Sequence, residues 1–196
     1  MDLRTKLLTT IFLILWGAIA ISPAQKAPDI ATLLADLSRP KATDRAARQV
    51  LQVATKDPMV RKQVVDRLPA MIAQPQSDEV RLNAVRLAGQ LKAIETIPSL
   101  VSALALGPLG APVNTTFGTQ MQLQDDAVAK ALSQIGDPAI PDVTNLLENG
   151  DQKMRRRVVL ILTNVDSSTS RKVLKDRLKQ ERDPKIRYLI ESALRS

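Results

Sequence analysis

A five-residue pattern that opens a helix occurs four times in this chain and restricts the folds available to it. Each copy has a helix-capping Asp or Ser, two variable residues, a Val, Ile or Met, and then an Arg: Asp57–Arg61, Ser77–Arg81, Asp151–Arg155 and Asp183–Arg187. The first side chain can accept hydrogen bonds from the free N–H groups of the first helical turn. The Arg can reach acidic or carbonyl groups of a neighbouring repeat. The pattern predicts a fold built from repeated helices.

Apolar residues recur at matching helical positions in the same part of the chain. Three equivalent groups, at offsets of 44 and 30, are Leu87, Ala88 and Leu91; Ala131, Leu132 and Ile135; and Ile161, Leu162 and Val165. Equivalent apolar positions let stacked helix pairs bury a continuous core that one pair could not bury alone. No segment alternates convincingly with the period of two that is typical of β-strands.

The helix signals predict ten helices in five antiparallel pairs. Asp-Pro at 57–58, 137–138 and 183–184 places a capping Asp before a Pro at the first helical position. The predicted helices span residues 28–37, 42–55, 58–73, 78–92, 95–106, 123–135, 138–148, 151–164, 168–180 and 184–195. The expected fold is therefore all-α, an α-solenoid over residues 25–196 with a loop insertion at 107–122.

Two of these segments resemble a known family. Asp57–Arg61 (DPMVR) and Ala131–Pro141 (ALSQIGDPAIP) resemble bacterial HEAT-like repeats of the phycobilisome-lyase type. The resemblance implies an α-solenoid of helix pairs with a period of roughly 30 residues. Some members of that family attach a bilin to a partner protein. The scarcity of aromatic residues here and the expected export of the chain argue against that activity.

The first 24 residues have the three zones of an export signal. Residues 1–6 carry two basic side chains, residues 7–21 are mostly apolar, and Ser22 and Ala24 are the small residues that a signal peptidase reads. A membrane-spanning helix needs about 20 apolar residues, so a cleaved signal peptide is favoured over an anchor formed by 7–21. We expect export to a periplasm or the exterior. The mass of the exported chain distinguishes cleavage from retention.

The composition excludes most familiar catalytic sites. The chain has no Cys and no His, and therefore no disulfide, Cys nucleophile, Ser-His-Asp triad or zinc site with its usual ligands. Ser38–Lys41 fits the pattern S-x-x-K, but Pro40 and the lack of S-D-N and K-T-G motifs favour a turn. The adjacent Asp125 and Asp126 suit a helix N-terminus, where negative charge is favourable. We predict a non-enzymatic protein with no catalytic, cofactor-binding or metal-binding residues.

Charge is distributed unevenly along the chain. Residues 151–196 carry 13 basic and six acidic side chains, whereas residues 93–150 carry one basic and six acidic side chains. This basic end is either a solvated surface or a docking face for an acidic protein or anionic lipid. The residues predicted to bind a partner there are Lys153, Arg155, Arg156 and Arg157. Export argues against nucleic acid as that partner.

Gly107–Gln122 interrupts the repeats with a segment rich in Gly, Pro and Thr. Its length exceeds that of the usual connection between helices, and long loops either bind partners or are simple insertions. Both interpretations remain open from the sequence. For the first, Val113 and Phe117 are the predicted contact residues, because an aromatic side chain in a polar loop is a candidate anchor.

These features predict an exported, non-catalytic module or adaptor that binds an acidic partner protein. The partner would contact one face of the α-solenoid and its basic C-terminal end. The alternative is a membrane-tethered structural protein that keeps residues 7–21 and lays its basic repeats on anionic lipid. Membrane contact is expected only in that second case. No cofactor is expected in either.

Overall fold

The computed structural model describes residues 29–41, 43–107, 109 and 126–195, and every regular element within them is helical. The α-helices are α1 (Ile30–Asp36), α2 (Thr43–Ala54), α3 (Pro58–Val65), α4 (Leu68–Ala73), α5 (Asp78–Gln90), α6 (Ile97–Ala105), α7 (Ala127–Ile135), α8 (Ile140–Asn149), α9 (Gln152–Val165), α10 (Ser168–Gln180) and α11 (Pro184–Arg195). Short 3₁₀ turns at Ile94–Thr96 and Asp137–Ala139 lead into α6 and α8. The predicted all-α class is confirmed for these residues.

The helices form two layers. In one layer α2, α5, α7, α9 and α11 pack side by side in chain order, and in the other α4, α6, α8 and α10 do the same. Helices joined by short turns contact each other across the layers, as α4 does with α5, α8 with α9 and α10 with α11. Stacked two-helix units of this kind are the architecture of an α-solenoid.

The repeated apolar positions form the core between the layers. Ala88, Leu132 and Leu162 occupy the same site in three successive first-layer helices, and each is 0% exposed. Burial of one such leucine contributes about 1.5–3 kcal/mol. Because these three units supply equivalent apolar positions, the core continues from one of them to the next.

The predicted helix 58–73 is in fact two helices, α3 and α4, separated at Asp66 and Arg67. The cause is Pro69, near the start of α4. A proline inside a helix has no N–H to donate, and its ring clashes with the carbonyl group four residues earlier. That carbonyl belongs to Val65, where α3 ends. The sequence therefore carried the signal for this break.

One of the three predicted Asp-Pro caps is wrong. The chain turns at Gly136, whose φ of 86° suits a residue without a side chain, and Asp137 then begins a 3₁₀ turn rather than capping a helix. The helix α8 starts only at Ile140. The other two caps are confirmed, because the carboxylates of Asp57 and Asp183 each accept bonds from two N–H groups in the first turn of α3 or α11.

The Arg of each opening pattern binds carbonyl groups near the end of another helix. Nη2 of Arg61 donates to the carbonyl oxygen of Leu91 at 2.8 Å, and Nε of Arg81 donates to that of Ile72 at 3.3 Å. The remaining two behave alike: Arg155 donates to the carbonyl oxygen of Gly150, and Arg187 donates to the main-chain carbonyl oxygens of Leu178 and Glu181. The last carbonyl groups of a helix lack partners within it and carry partial negative charge. The carbonyl contacts of the pattern thus link the helices of one predicted pair, whereas the sequence predicted contacts with a neighbouring repeat. Arg155 also makes a contact of the predicted kind, with Glu181 before α11.

Several predicted features lie outside the described residues. These are the signal segment 1–24 and most of the loop insertion, including Val113 and Phe117. Ser38–Lys41 is described, and it forms the predicted turn after α1. Within the part of the chain that the structure describes, no helix has the length and apolar character needed to cross a membrane.

Gly89 lets α5 lie close against α7. A Cβ atom at this position would lie 2.8 Å from the Cα of Ala131, a backbone atom that can move only if α7 moves. We therefore expect Gly89→Ala to lower the free energy of unfolding by about 1–3 kcal/mol, although Ala is about 1 kcal/mol more favourable than Gly in an open helix. Urea denaturation followed by circular dichroism measures the change. The exposed neighbour Gln90→Ala is the control, and a Gly89→Ala variant as stable as that control would contradict the close approach.

A candidate protein-docking groove

The basic residues that open α9 lie in different environments. Lys153 is exposed, Arg155 and Arg156 are half-buried, and Arg157 is only 4% exposed. Successive helical side chains point about 100° apart, so four neighbouring residues cannot share one surface. Their roles must therefore be assigned one by one.

Arg157 is predicted from the sequence to bind a partner, and the structure corrects this by placing it in the core. Its Nε donates to Oδ2 of Asp126 at 2.7 Å, and its terminal nitrogens donate to the carbonyl oxygens of Leu104 and Gly107. Asp126 is 1% exposed and caps α7 by accepting from the N–H of Ala129. The guanidinium group thus joins α9 to the end of α6 and the start of α7, and no partner can reach it.

Arg155 faces a carboxylate inside the protein. Its Nε lies 3.2 Å from Oε2 of Glu181, which also accepts from Nη2 of Arg177 at 2.7 Å. Oε1 of the same carboxylate accepts from the N–H groups of Arg182 and Asp183. Burial favours the neutral form of Glu181, but the Asp183 N–H and the two guanidinium groups favour the charged form more, so its pKa lies below the usual value. Arg155 therefore joins α9 to the turn before α11.

The other two residues, Lys153 and Arg156, line an open groove between α9 and α11, here called the α9–α11 groove. Lys185 and Tyr188 of α11 form the opposite wall, and the groove has a volume of about 490 Å³. Tyr188 is 64% exposed. The groove therefore combines basic groups from two repeats with one accessible aromatic ring.

The two lysines of the α9–α11 groove, Lys153 and Lys185, are not neutralised by the described residues that line it. Among the described residues that line it, none is acidic. The adjacent carboxylate of Asp183 accepts bonds from the N–H groups of Ile186 and Lys185 and from the side chain of Gln152. The pKa of Asp183 lies below its usual value, mainly because its carboxylate accepts from the Ile186 N–H, although burial acts in the opposite direction. Lys153 and Lys185 form no ion pair with any residue that the structure describes.

A second basic surface runs along α10 and includes Arg171, Lys172, Lys175, Lys179 and Arg187. Part of its charge is neutralised locally, because Arg171 pairs with Asp166 at 2.7 Å and Lys179 pairs with Asp176 at 2.8 Å. None of the described residues that line it is aromatic. The α9–α11 groove is therefore the stronger candidate for binding another molecule.

Lys185 and Tyr188 are not among the residues predicted to bind a partner, although the sequence contains a signal for them. The last two helix openings align at an offset of 32, which places Lys185 at the position of Lys153 and Tyr188 at that of Arg156. Equivalent positions on adjacent helices of one layer lie side by side, so the alignment predicts that these four residues share a surface.

In the described ranges, no cluster of His, Cys, Asp and Glu is suited to hold a metal ion.

Residues 125–195 match the family described as HEAT repeats. This match and the stacked helix pairs support a HEAT-like repeat protein, and such repeats commonly bind other proteins. The family generally provides a scaffold rather than a catalyst. No curated protein and no solved structure shows significant similarity to the chain.

Proposed function

We propose that this chain is a non-catalytic binding module that holds an acidic segment of another protein in the α9–α11 groove. The observation that carries the proposal is the convergence of Lys153 and Lys185 from two repeats on a groove whose described lining contains no acid. Solenoids present surfaces of this kind, formed by side chains from successive repeats, to extended partners.

The physical basis is electrostatic complementarity. Exposed ion pairs contribute only about 0.2–1 kcal/mol each, so one lysine would not select a partner. Several cations on one groove raise the rate of encounter with an acidic segment and disfavour basic ones. Binding should therefore weaken as ionic strength rises.

The double variant Lys153→Glu/Lys185→Glu tests the proposal. We expect it to weaken the binding of a fluorescent oligoglutamate peptide at low salt by at least about tenfold, because attraction in the groove becomes repulsion. Fluorescence anisotropy measures the affinity. Both residues are exposed, so circular dichroism should be unchanged.

The matched control is Lys172→Glu/Lys175→Glu on α10, which changes the net charge by the same amount at two other exposed residues. It should reduce binding far less than the groove variant. Equal losses in the two variants would mean that overall charge, rather than the groove, attracts the peptide, and the proposal would fail.

We also propose that the module acts after export, on the basis of the signal pattern in residues 1–24. If the apolar segment 7–21 were retained, the same module would be tethered to a membrane, with its groove still available to a protein. The mass of the exported chain distinguishes these two forms.

A further inference from the structure

The α9–α11 groove has an apolar part as well as basic groups. Tyr188 and Leu189 of α11 line it together with Pro184. Tyr188 is 64% exposed and Leu189 is half-buried, so both can lose further contact with water when a ligand binds. The basic side chains stand on both walls, whereas the aromatic ring belongs only to the α11 wall.

We infer that the groove selects acidic segments that also contain a large apolar side chain, which packs on Tyr188 while flanking carboxylates pair with Lys153 and Lys185. This inference rests on the proposed function and specifies the partner's chemistry. A ligand with negative charge alone would leave the exposed ring and its apolar neighbours in water.

The dimensions of the groove agree with such a ligand. Its volume of about 490 Å³ accommodates one large side chain and a short stretch of main chain, within the range of about 300–1,000 Å³ typical of ligand pockets. The two walls are also connected, because the Gln152 amide of α9 donates to the carboxylate of Asp183 immediately before α11. Tyr and Arg are enriched at protein interfaces, where they combine apolar contact area with polar groups.

Two acidic peptides that differ only in a central Leu or Ala test the inference. We expect the wild-type chain to bind the Leu peptide about tenfold more tightly, because only the Leu side chain is large enough to cover the ring. Tyr188→Ser should abolish this preference and leave the affinity for the Ala peptide nearly unchanged. Tyr188→Phe should retain the preference, since it keeps the apolar ring.

The variants separate this inference from the proposed function. Equal binding of the Leu and Ala peptides by wild type would overturn the inference and leave the acidic groove standing. Failure of both acidic peptides to bind would overturn the inference and the proposed function. If neither peptide binds, tight binding to phosphatidylglycerol vesicles that is lost in Lys153→Glu/Lys185→Glu would identify anionic lipid as the ligand of the groove. Lys153→Glu/Lys185→Glu should weaken binding of both peptides alike.

Discussion

Arg157→Ala is expected to lower the free energy of unfolding by about 3–5 kcal/mol. The substitution removes the guanidinium group that pairs with the carboxylate of Asp126, which is 1% exposed. It also removes the bonds donated to the carbonyl oxygens of Leu104 and Gly107. An unpaired buried charge is costly because it has lost its water without gaining a partner. Urea denaturation at neutral pH measures the loss.

Arg171→Ala is the control for this substitution. Its pair with Asp166 is exposed, with 37% and 60% of the side chains accessible, and such pairs contribute at most about 1 kcal/mol. A loss in Arg157→Ala as small as that in the control would show that the buried pair is not formed in solution. Combining Arg157→Ala with Asp126→Ala should cost less than the sum of the single changes, because neither charge is then left alone.

Glu181→Gln is expected to produce the next largest loss, about 2–3 kcal/mol at pH 7. The Gln side chain can still accept bonds, but it has no charge to offer the guanidinium groups of Arg155 and Arg177. Chemical denaturation at pH 7 measures the effect. Glu191→Gln, at a half-buried residue 3.8 Å from Arg187, is the control and should change little.

The pH dependence gives a second test of Glu181. Its pKa is lower in the folded chain than in the unfolded chain, so its contribution is complete above the unfolded value of about 4.3 and is lost as pH falls through the folded value. The wild-type chain should therefore lose stability on acidification below about pH 4.3. Glu181→Gln should show a weaker dependence over the same range, with Asp183 and other carboxylates contributing the remainder. Parallel curves for the two proteins would contradict the assignment.

The repeated elements of the fold are predictable because their causes are local. Caps such as Asp57, apolar positions such as Leu132 and the helix openings all depend on residues a few positions apart, which the sequence displays directly. The same locality explains the errors. Pro69 ends a helix, and Gly136 displaces the cap from Asp137. Both residues are visible in the sequence, but the predictions followed the apolar pattern of 58–73 and the Asp-Pro pair at 137–138 instead.

The candidate site is less predictable because it depends on packing between repeats. A run of basic residues indicates positive charge but not where each side chain points. Only the stacking of the helices shows that Arg157 pairs with Asp126 while Lys153 is exposed to solvent. Tyr188 belongs to the groove because α11 lies beside α9. The alignment of two helix openings could have indicated that neighbourhood, but a search for runs of like charge could not.

The bonds of Arg157 also bear on how the loop insertion can vary. The carbonyl of Gly107 before it and the carboxylate of Asp126 after it are both held by a side chain from α9, and α5 packs directly on α7. The positions where the chain leaves and re-enters the solenoid are therefore fixed from outside the segment. Leu109 is also held in place, because its carbonyl oxygen accepts from the N–H of Ala127. Insertions, deletions and substitutions between Leu109 and Asp126 can therefore accumulate without shifting the register of the helices on either side.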